Sequence, residues 1–388
     1  MQISDLPCPV PGKEDREMKT KRLIDRFNLI QPLVAKFGLP RVIIVSFFLF
    51  LVAGAGFFHM NLMQLLSDCL RRWGMFGILA LAMVPAVQCG IGLNFGISMG
   101  IVGGLLGGLI VIQLQVAKNP SLVAIHPLFA MWVAVMLAIL IGVVLATGIG
   151  YLYGLLLNRV KGSEMTVTTY VGFSIIAFMN MMWMLLPFSD GELIWPNAGK
   201  GLRNTISLAS SFSNVMNKTL AFSIGDLTIP TGLLLFFFFM CFLVWLFMHS
   251  KTGIAMSAAG ANPMFAKAAG INVNKMRLIG TTLSTVLAAV GILVYAQGFG
   301  FMQLYNGPMM MGFTSVAAVL IGGASPKRAR IPHVLIGTFL FQGILALGLP
   351  VANQFIPESN LSEVARLIIS NGIIIYALSQ VKGGSGRE

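Results

Sequence analysis

Long apolar runs separated by short polar segments dominate the chain, and ten of these runs are close to the length of a membrane span. A helix needs roughly 20 apolar residues to cross the hydrocarbon core of a bilayer. The pattern therefore predicts an all-α integral membrane protein with about ten transmembrane helices, and residues 61–72 are predicted to be an amphipathic lead-in to the second helix. The runs lie at 42–60, 73–90, 95–116, 127–156, 165–187, 229–249, 276–297, 308–324, 331–350 and 364–381.

The basic residues between the runs indicate which helix ends face the cytoplasm, because cytoplasmic loops carry an excess of Lys and Arg. With the N-terminus inside, the cytoplasmic segments hold 19 of the 26 Lys and Arg residues. Both termini are therefore predicted to be cytoplasmic, and the longest outer loop is predicted at 188–226. The cytoplasmic segments of this arrangement are 1–41, 157–164, 250–277, 325–330 and 382–388.

Composition agrees with a membrane protein and argues against other classes. Charged residues make up 10% of the chain, whereas a soluble domain carries roughly a quarter. The net charge of +13 arises between the apolar runs and in the N-terminal segment, not along one face of a folded domain, so no nucleic-acid partner is expected. The four cysteines and four histidines lack metal-ligand spacing, so neither a metal site nor a cofactor is expected.

The central parts of the predicted spans contain no Asp, Glu, Lys or Arg. Ionisable residues at membrane depth are typical of proton relays, ion-coupled carriers and voltage sensors. The sequence also lacks an HExxH motif, a nucleophile paired with a base, and a phosphate-binding P-loop, so no enzymatic activity is expected. A protein of this kind that moves a solute uphill must take its energy from elsewhere.

Glycine-rich stretches interrupt two of the apolar runs. Gly90–Asn94 breaks the first, and glycine recurs at every fourth position from 92 to 108, which predicts a helix face packed closely against another helix. Asn306–Gly323 begins with a second interruption, at Pro308 and Gly312. Broken helices at membrane depth line cavities and form substrate sites in transporters built from two inverted halves. Substrate binding and close helix packing both remain open as explanations.

The polar stretch "GANPMFAKAAGINVNKMRL" at Gly260–Leu278 predicts a short helix between two spans. Asn262 is a favourable N-cap, Pro263 suits the first helical position, and Gly270 suits the position after the end. The helix is predicted at Met264–Ala269, with Met264, Phe265 and Ala268 exposed. Such a helix either lies on lipid headgroups or docks into a groove on a cytoplasmic partner, and the residues alone favour neither.

This stretch resembles the cytoplasmic coupling loop of ABC-importer permeases of the ribose/simple-sugar class, which includes nucleoside and branched-chain amino acid permeases. The stretches Thr314–Gly323 and Gly90–Ser98 are similar to two further elements of that class, and the resemblance covers about residues 42–381 as a permease domain. The coupling-loop pattern is matched by Gly260, Asn262, Ala266, Gly270, Ile271, Val273 and Arg277.

The resemblance implies that the loop presses on a separate ATPase subunit, that two permease chains form a homo- or heterodimer, and that an extracytoplasmic solute-binding protein delivers the solute. The residues that would contact the ATPase are Gly260, Asn262, Pro263, Met264, Phe265, Ala266, Lys267, Ala268, Gly270 and Ile271. The residues that would line the substrate pathway are Gln88, Gly92, Asn94, Phe95, Ser98, Thr314 and Ser315.

The sequence departs from the family pattern in its acidic residues, because the Asp of the early element and the acids before the later one are absent. This departure points to an unusual solute or to a different partner permease that supplies the missing groups. The resulting hypothesis is an importer permease in the cell membrane for a neutral polar solute, such as the simple sugar ribose. The alternatives are a nucleoside permease of the same family and an ATP-independent facilitator or channel.

Overall fold

The computed structural model describes residues 39–195, 201–305 and 307–355, and the single positions 364, 368, 371, 372 and 375. Residues 1–38, Asn306, the tail 382–388 and most of the predicted span at 364–381 lie outside the described residues. The helices are α1 Leu39–Phe57, α2 Leu62–Leu81, α3 Met83–Gln88, α4 Ser98–Gln113, α5 Pro120–Ile125, α6 Pro127–Arg159, α7 Glu164–Leu185, α8 Val215–Lys218, α9 Thr231–His249, α10 Lys251–Ala261, α11 Pro263–Ala268, α12 Val273–Phe299, α13 Gly307–Ile321 and α14 Ile331–Phe355. Two 3-10 helices lie at Phe95–Ile97 and Val116–Lys118.

Seven helical segments in the described part of the chain are long and apolar enough to cross a membrane. They lie at Leu62–Gln88, Phe95–Lys118, Pro127–Arg159, Glu164–Leu185, Thr231–His249, Val273–Phe299 and Ile331–Gln354, and two shorter apolar helices lie at Arg41–Phe57 and Gly307–Ile321. The predicted class, a helical membrane protein with many spans, is confirmed.

The second predicted span begins earlier than its apolar run. The helix starts at Leu62 rather than near residue 73, so residues 62–72 of the predicted lead-in are helical and continuous with the span, and Asn61 is the N-cap. Asn61 causes this early start because its Oδ1 accepts hydrogen bonds from the backbone N–H groups of Met63 and Gln64, at 3.2 and 3.3 Å. Leu65 and Cys69, on the same side of this helix, are buried in the core.

Helices α2, α4, α12 and α14 form the buried centre of the bundle, and α6, α7 and α9 lie at its periphery with much of their apolar surface exposed. Helix α4 packs between α6 and α12. A β-carbon at Gly104 would lie 2.5 Å from the carbonyl oxygen of Ala289 in α12, and one at Gly107 would lie 2.6 Å from the backbone nitrogen of Gly142 in α6. Glycine therefore allows α4 to contact both neighbours backbone to backbone.

The predicted glycine stripe is longer than the helix that carries it. Gly92 precedes the helical segment, and Gly96 lies in the short 3-10 helix, so only the glycines at 100, 104 and 108 share a face of α4. The prediction of close packing is correct for this α-helical part alone. It fails earlier because the chain at 89–94 is not helical.

One end of the bundle, here called the basic face, is formed by residues 157–163, 250–272 and 322–330. The side chain of Asn158 donates to the backbone oxygen of Asn274 at 2.9 Å, and the ammonium of Lys161 donates to the Asn274 side chain at 2.8 Å. The side chain of Gln88 donates to the backbone oxygen of Ala329. The first two contacts join the segment 157–163 to Asn274, just after the segment 250–272. The third joins the end of α3 to the segment 322–330.

The opposite face carries residues 186–195, 201–230 and 300–305. Strand β1 (Thr205–Ser207) pairs antiparallel with β4 (Phe301–Gln303), and β2 (Phe222–Ile224) pairs antiparallel with β3 (Leu227–Ile229) as a hairpin. The backbone N–H of Leu208 also donates to the oxygen of Gly300 at 2.9 Å. These short strands, which the sequence analysis did not predict, attach the long loop to the end of α12.

A polar network attaches this loop to the end of α4. The Gln113 side chain accepts hydrogen bonds from the backbone N–H groups of Ser189 and Asp190 at 3.0 and 3.1 Å, and Gln115 donates to the Asp190 carboxylate at 2.7 Å. Burial acts to raise the pKa of Asp190, but hydrogen bonds from Gln115 and from the backbone of Glu192 outweigh it, so this pKa lies below its ordinary value of 3.8. The network therefore stabilises the ionised carboxylate.

We expect this network to stabilise the protein at neutral pH and to weaken in acid. Because the pKa of Asp190 is lower in the folded state than in the unfolded state, its contribution is fully present above about pH 4 and is lost as the pH falls through the folded value. Thermal unfolding of the detergent-solubilised protein between pH 7 and pH 3 measures this loss. Asp190→Asn should flatten the dependence below about pH 4, and Asp68→Asn, at an exposed ion pair, should not. Equal slopes for wild type and Asp190→Asn would contradict the assignment.

Candidate functional site

The helical path breaks after α3, at the basic end of the bundle. Helix α3 ends at Gln88, and the chain is non-helical through residue 94 before the 3-10 helix begins at Phe95. Gly90 and Gly92 have φ angles of 82° and 87°. These left-handed conformations favour glycine, so the two glycines allow the chain to leave α3 and turn back into the bundle.

Asn94 holds the end of this break inside the bundle. Its side chain is fully buried. The Oδ1 atom accepts hydrogen bonds from the Tyr153 hydroxyl at 2.8 Å and from the backbone N–H of Gly96 at 3.0 Å, and Nδ2 donates to the Ser284 hydroxyl at 3.2 Å. One side chain therefore links the break to α6 and to α12.

The second break meets the first. The described chain passes from β4 at the opposite face to α13, which begins at Gly307, and Asn306 between them lies outside the described residues. The Ser98 hydroxyl at the start of α4 donates to the backbone oxygen of Pro308 at 3.2 Å. A β-carbon at Gly312 would lie 3.7 Å from the carbonyl oxygen of Phe95. The starts of α4 and α13 are thus in contact.

A shallow cleft of about 10 Å³, roughly the space of one water molecule, opens where the breaks meet α7. The Phe313 ring lies 5.4 Å from the Phe95 ring and 6.0 Å from the Phe173 ring, measured between centroids. Phe173 is exposed, and Phe95 and Phe313 are partly exposed. The cleft is lined by Phe95, Ser98, Thr169, Gly172, Phe173, Ile176, Met309, Gly312 and Phe313.

Two of the seven predicted pathway residues, Phe95 and Ser98, line this cleft, and five do not. Of these five, Gln88 bonds to the loop at 322–330, Gly92 lies in the break, and Asn94 is fully buried. The hydroxyls of Thr314 and Ser315 both donate to the backbone oxygen of Met311, at 3.1 and 2.7 Å. In this conformation the polar groups of Gln88, Asn94, Thr314 and Ser315 are therefore occupied by hydrogen bonds within the chain.

Sequence reasoning missed the contribution of α7 to the cleft. Thr169, Phe173 and Ile176 recur at helical spacing on one face of a peripheral helix. A hydroxyl followed by an aromatic residue on that face is a weak signal, because any lipid-facing helix carries aromatic residues. Phe313 was missed although it directly precedes the predicted Thr314.

The cleft has the chemistry of a site for a neutral solute. None of the described residues that line it carries a carboxylate, ammonium or guanidinium group. The lining consists of three aromatic rings, the hydroxyls of Ser98 and Thr169, two glycines, Ile176 and Met309. Within the described residues, no group of three His, Cys, Asp or Glu side chains lies close enough together to hold a metal ion. Apolar rings with a few polar groups are typical of sites that bind small molecules.

The polar stretch at the basic face contains a capped helix, α11 (Pro263–Ala268). The Asn262 side chain accepts hydrogen bonds from the backbone N–H groups of Met264 and Phe265 at 3.1 and 3.0 Å. Gly270 has a φ of 77° and ends the helix. The backbone N–H of Ile271 donates to the oxygen of Ala266 at 2.9 Å, as in a helix C-terminus that ends in a left-handed glycine.

Helix α11 attaches to the protein by one side only. Ala266 is fully buried in a cluster of apolar residues that includes Tyr153 and Met256. Met264 and Phe265, in contrast, are 79% and 67% exposed. Lys267 and Ala268 are also exposed, and Gly260 is half-buried. The helix therefore exposes two large apolar side chains, Met264 and Phe265, on the side that faces away from the rest of the protein.

A buried ion pair lies near the start of α12, the helix that follows α11 in the chain. The Arg277 guanidinium donates to the Glu164 carboxylate at 2.8 Å and to the backbone oxygen of Leu157 at 3.1 Å. The two charged side chains are 9% and 15% exposed. The pair joins the start of α12 to the start of α7. The sequence analysis assigned Arg277 to the coupling-loop pattern and did not predict its buried partner.

Comparisons with known proteins give a consistent result. The family model described as the branched-chain amino acid transport system permease component matches residues 65–378. The nucleoside ABC transporter permease protein NupB of Lactococcus lactis is 25% identical over 237 residues, which are 60% of this chain and 61% of that protein. NupC of the same organism is 32% identical over 33% of this chain and 39% of its own length.

Another relative is the probable ABC transporter permease protein YphD of Escherichia coli, which is 32% identical over 36% of this chain and 44% of its own length. The matched segments of these three relatives therefore span about three fifths of their lengths or less. No solved structure matches the chain.

Proposed function

Because the chain belongs to the branched-chain amino acid transport system permease family, we propose that it is the permease subunit of an ABC importer for a neutral polar small molecule, a simple sugar such as ribose or a nucleoside. It is a multi-pass protein of the plasma membrane. In the proposed mechanism the subunit alternates between outward- and inward-open states, and a separate ATPase subunit supplies the energy.

The observation that carries this proposal is the exposure of Met264 and Phe265 on a helix of six residues. A helix this short is marginal by itself, and two large apolar side chains in water are unfavourable. A groove on an ATPase subunit would cover both side chains and would hold the helix. In this arrangement the basic face is cytoplasmic, which agrees with the excess of basic residues there.

The placement of charge supports an external energy source. In the seven described spans, the charged side chains lie within the first three turns or the last turn of each helix. None of them forms a chain of ionisable groups across the membrane, which an ion-coupled carrier requires. ATP hydrolysis on a partner chain therefore fits this permease better than a proton or sodium gradient.

The cleft of Phe95, Phe173 and Phe313 is the proposed part of the solute pathway. Aromatic faces bind either the apolar face of a sugar ring or a nucleobase, and neither solute requires a carboxylate. Asn180 lies on α7 one turn beyond Ile176, and its Oδ1 is buried without a hydrogen-bond partner in the described residues. This amide is suited to hydrogen-bond a passing hydroxyl.

We assign the remaining partners to the exposed surfaces of the chain. The cleft opens on the exposed face of α7, which we assign to a second permease chain, identical or different. The loop at 188–226 on the opposite face would receive the solute-binding protein, and lipid would cover the exposed apolar surfaces of α6 and α9. Lys267 would pair with an acidic group on the ATPase subunit.

The test is uptake of radiolabelled ribose and uridine by cells that carry wild-type protein, Met264→Ser/Phe265→Ser or Phe57→Ser. The double variant should lose ATP-dependent uptake at least tenfold and should no longer co-purify with an ATPase subunit. Phe57→Ser changes an equally exposed aromatic residue at the end of α1, outside the basic face and outside the loop at 188–226, and should leave uptake intact. The labelled compound that wild type accumulates identifies the solute class.

Passive equilibration of ribose or uridine that survives the double substitution would contradict this function and would favour a facilitator or channel. Loss of protein from the membrane is checked by quantifying each variant in purified membranes. A double variant that is present in normal amounts and still accumulates solute against a gradient would also overturn the proposal.

A further inference from the structure

The break after α3 contacts the helix that leads into α11, with no side chain between the two backbones. Gly260 is in the last turn of α10, and Gly90 is in the break. A β-carbon at Gly90 would lie 2.9 Å from Gly260 Cα, and one at Gly260 would lie 2.8 Å from Gly90 N and 3.0 Å from Cys89 C. Real β-carbons do not approach other atoms within 3.0 Å, so either added methyl group would force the backbones apart.

The break is held just as closely on its other side by α12. A β-carbon at Gly280 would lie 2.5 Å from Cys89 Cβ and 2.6 Å from Cys89 Sγ. The same position would lie 3.0 Å from the Met256 sulfur of α10. Cys89 therefore lies in a confined space between α10 and α12, and a displacement of α10 toward it has no void to enter.

The other end of the break leads directly to the cleft. Four residues separate Gly90 from Phe95, whose ring lines the cleft, and Asn94 between them is bonded to α6 and α12. Close-packed contacts transmit a displacement because they cannot be compressed. A movement of α10 and α11 thus reaches Phe95 through a segment of only a few residues.

We propose that the contact between Gly260 and Gly90 is the joint through which the ATPase-driven movement of α11 repositions the solute cleft, with both glycines as positioning residues. This inference rests on the proposed function. If the contact served close packing alone, its disruption would change stability and would leave unchanged the number of solute molecules moved per ATP hydrolysed.

The first experiment measures that ratio for Gly260→Ala. Gly260 lies in a helix, where alanine is favourable for the backbone, so the substitution adds little besides a methyl group at the joint. The transporter assembly is purified through a tag on this chain and reconstituted in vesicles, and ATP hydrolysis and uptake of labelled ribose and uridine are recorded together. We expect hydrolysis to continue and the ratio of solute to ATP to fall at least tenfold.

The matched control is Gly148→Ala in α6, where no heavy atom lies within 4 Å of the added carbon and the ratio should not change. A wild-type ratio in folded Gly260→Ala would overturn the inference. Failure of the wild-type assembly to couple uptake to ATP would instead overturn the proposed function, so the two failures are distinguishable.

The second experiment tests the joint even if Gly260→Ala does not fold. Cys89→Ala removes the sulfur that fills the space between α10 and α12 and adds no atom, so the substitution creates a small void instead of a clash. A displacement of α10 should then be absorbed by the void, and the ratio of solute to ATP should fall severalfold. Cys241→Ala, at another buried cysteine, is the matched control and should leave the ratio unchanged. A wild-type ratio in folded Cys89→Ala would overturn the inference.

Discussion

Asn94→Ala is expected to destabilise the protein by about 2–4 kcal/mol, because it leaves the Tyr153 hydroxyl and the Gly96 N–H without their acceptor in a buried site. A buried polar group that loses its partner costs roughly 1–3 kcal/mol. The substitution also removes the link to Ser284 and leaves a small cavity. The midpoint of thermal unfolding in detergent, followed by tryptophan fluorescence, measures the effect.

Tyr153→Phe is the matched control for this prediction. It removes one hydrogen bond and leaves Asn94 bonded to Gly96 and Ser284, so it should cost about 0.6 kcal/mol, the average for single interhelical hydrogen bonds in membrane proteins, and at most about 1.7 kcal/mol. If Asn94→Ala and Tyr153→Phe lowered the free energy of unfolding equally, the Asn94 side chain would not act as a common acceptor for several groups.

Glu164→Gln is expected to cost about 3–5 kcal/mol, the amount typical of removing one partner from a buried ion pair. The Arg277 guanidinium would keep its charge in a buried position, with only the backbone oxygen of Leu157 and a neutral amide as acceptors. Guanidinium titration of the solubilised protein, with helix content followed by circular dichroism, measures the loss.

The control for Glu164→Gln is Glu192→Gln, which breaks the ion pair between Glu192 and Lys118. In this pair the Lys118 side chain is 43% exposed and the Glu192 side chain is 32% exposed. Exposed pairs contribute about 0–1 kcal/mol, so this change should be small. The double variant Glu164→Leu/Arg277→Met removes both charges and should recover part of the stability. Equal losses in the single and double variants would mean that the unpaired charge is not the cause.

The break at Gly90–Asn94 was predictable, and the cleft was not, for one physical reason. Two glycines separated by one residue, shortly before an Asn, are a local signal of irregular backbone, and a single sequence displays it. Phe173 and Phe313, however, acquire their role from the approach of α7 and α13, which are distant in sequence. Nothing local distinguishes them from the other exposed aromatic residues of peripheral helices.

The same reason accounts for the misplaced start of the second span. The pattern of hydropathy places the start of this apolar run after Asp68, Arg71 and Arg72, whereas the start of the helix is set by the cap at Asn61 and by burial of its other side. Arg277 is a related case. Its charge places it at the cytoplasmic edge of a predicted span by sequence alone, and only the distant Glu164 explains its burial.

The length of α6 determines where the capped helix lies. At 1.5 Å per residue, its 33 residues extend about 50 Å, and the hydrocarbon core is about 30 Å thick. The uncharged stretch runs from residue 127 to residue 158 and is itself longer than the core is thick, so α6 must tilt or extend into the headgroup region. Because Ala266 shares an apolar cluster with Tyr153 and Leu157, near the basic end of α6, the tilt and depth of α6 set the height of Met264 and Phe265 relative to the bilayer.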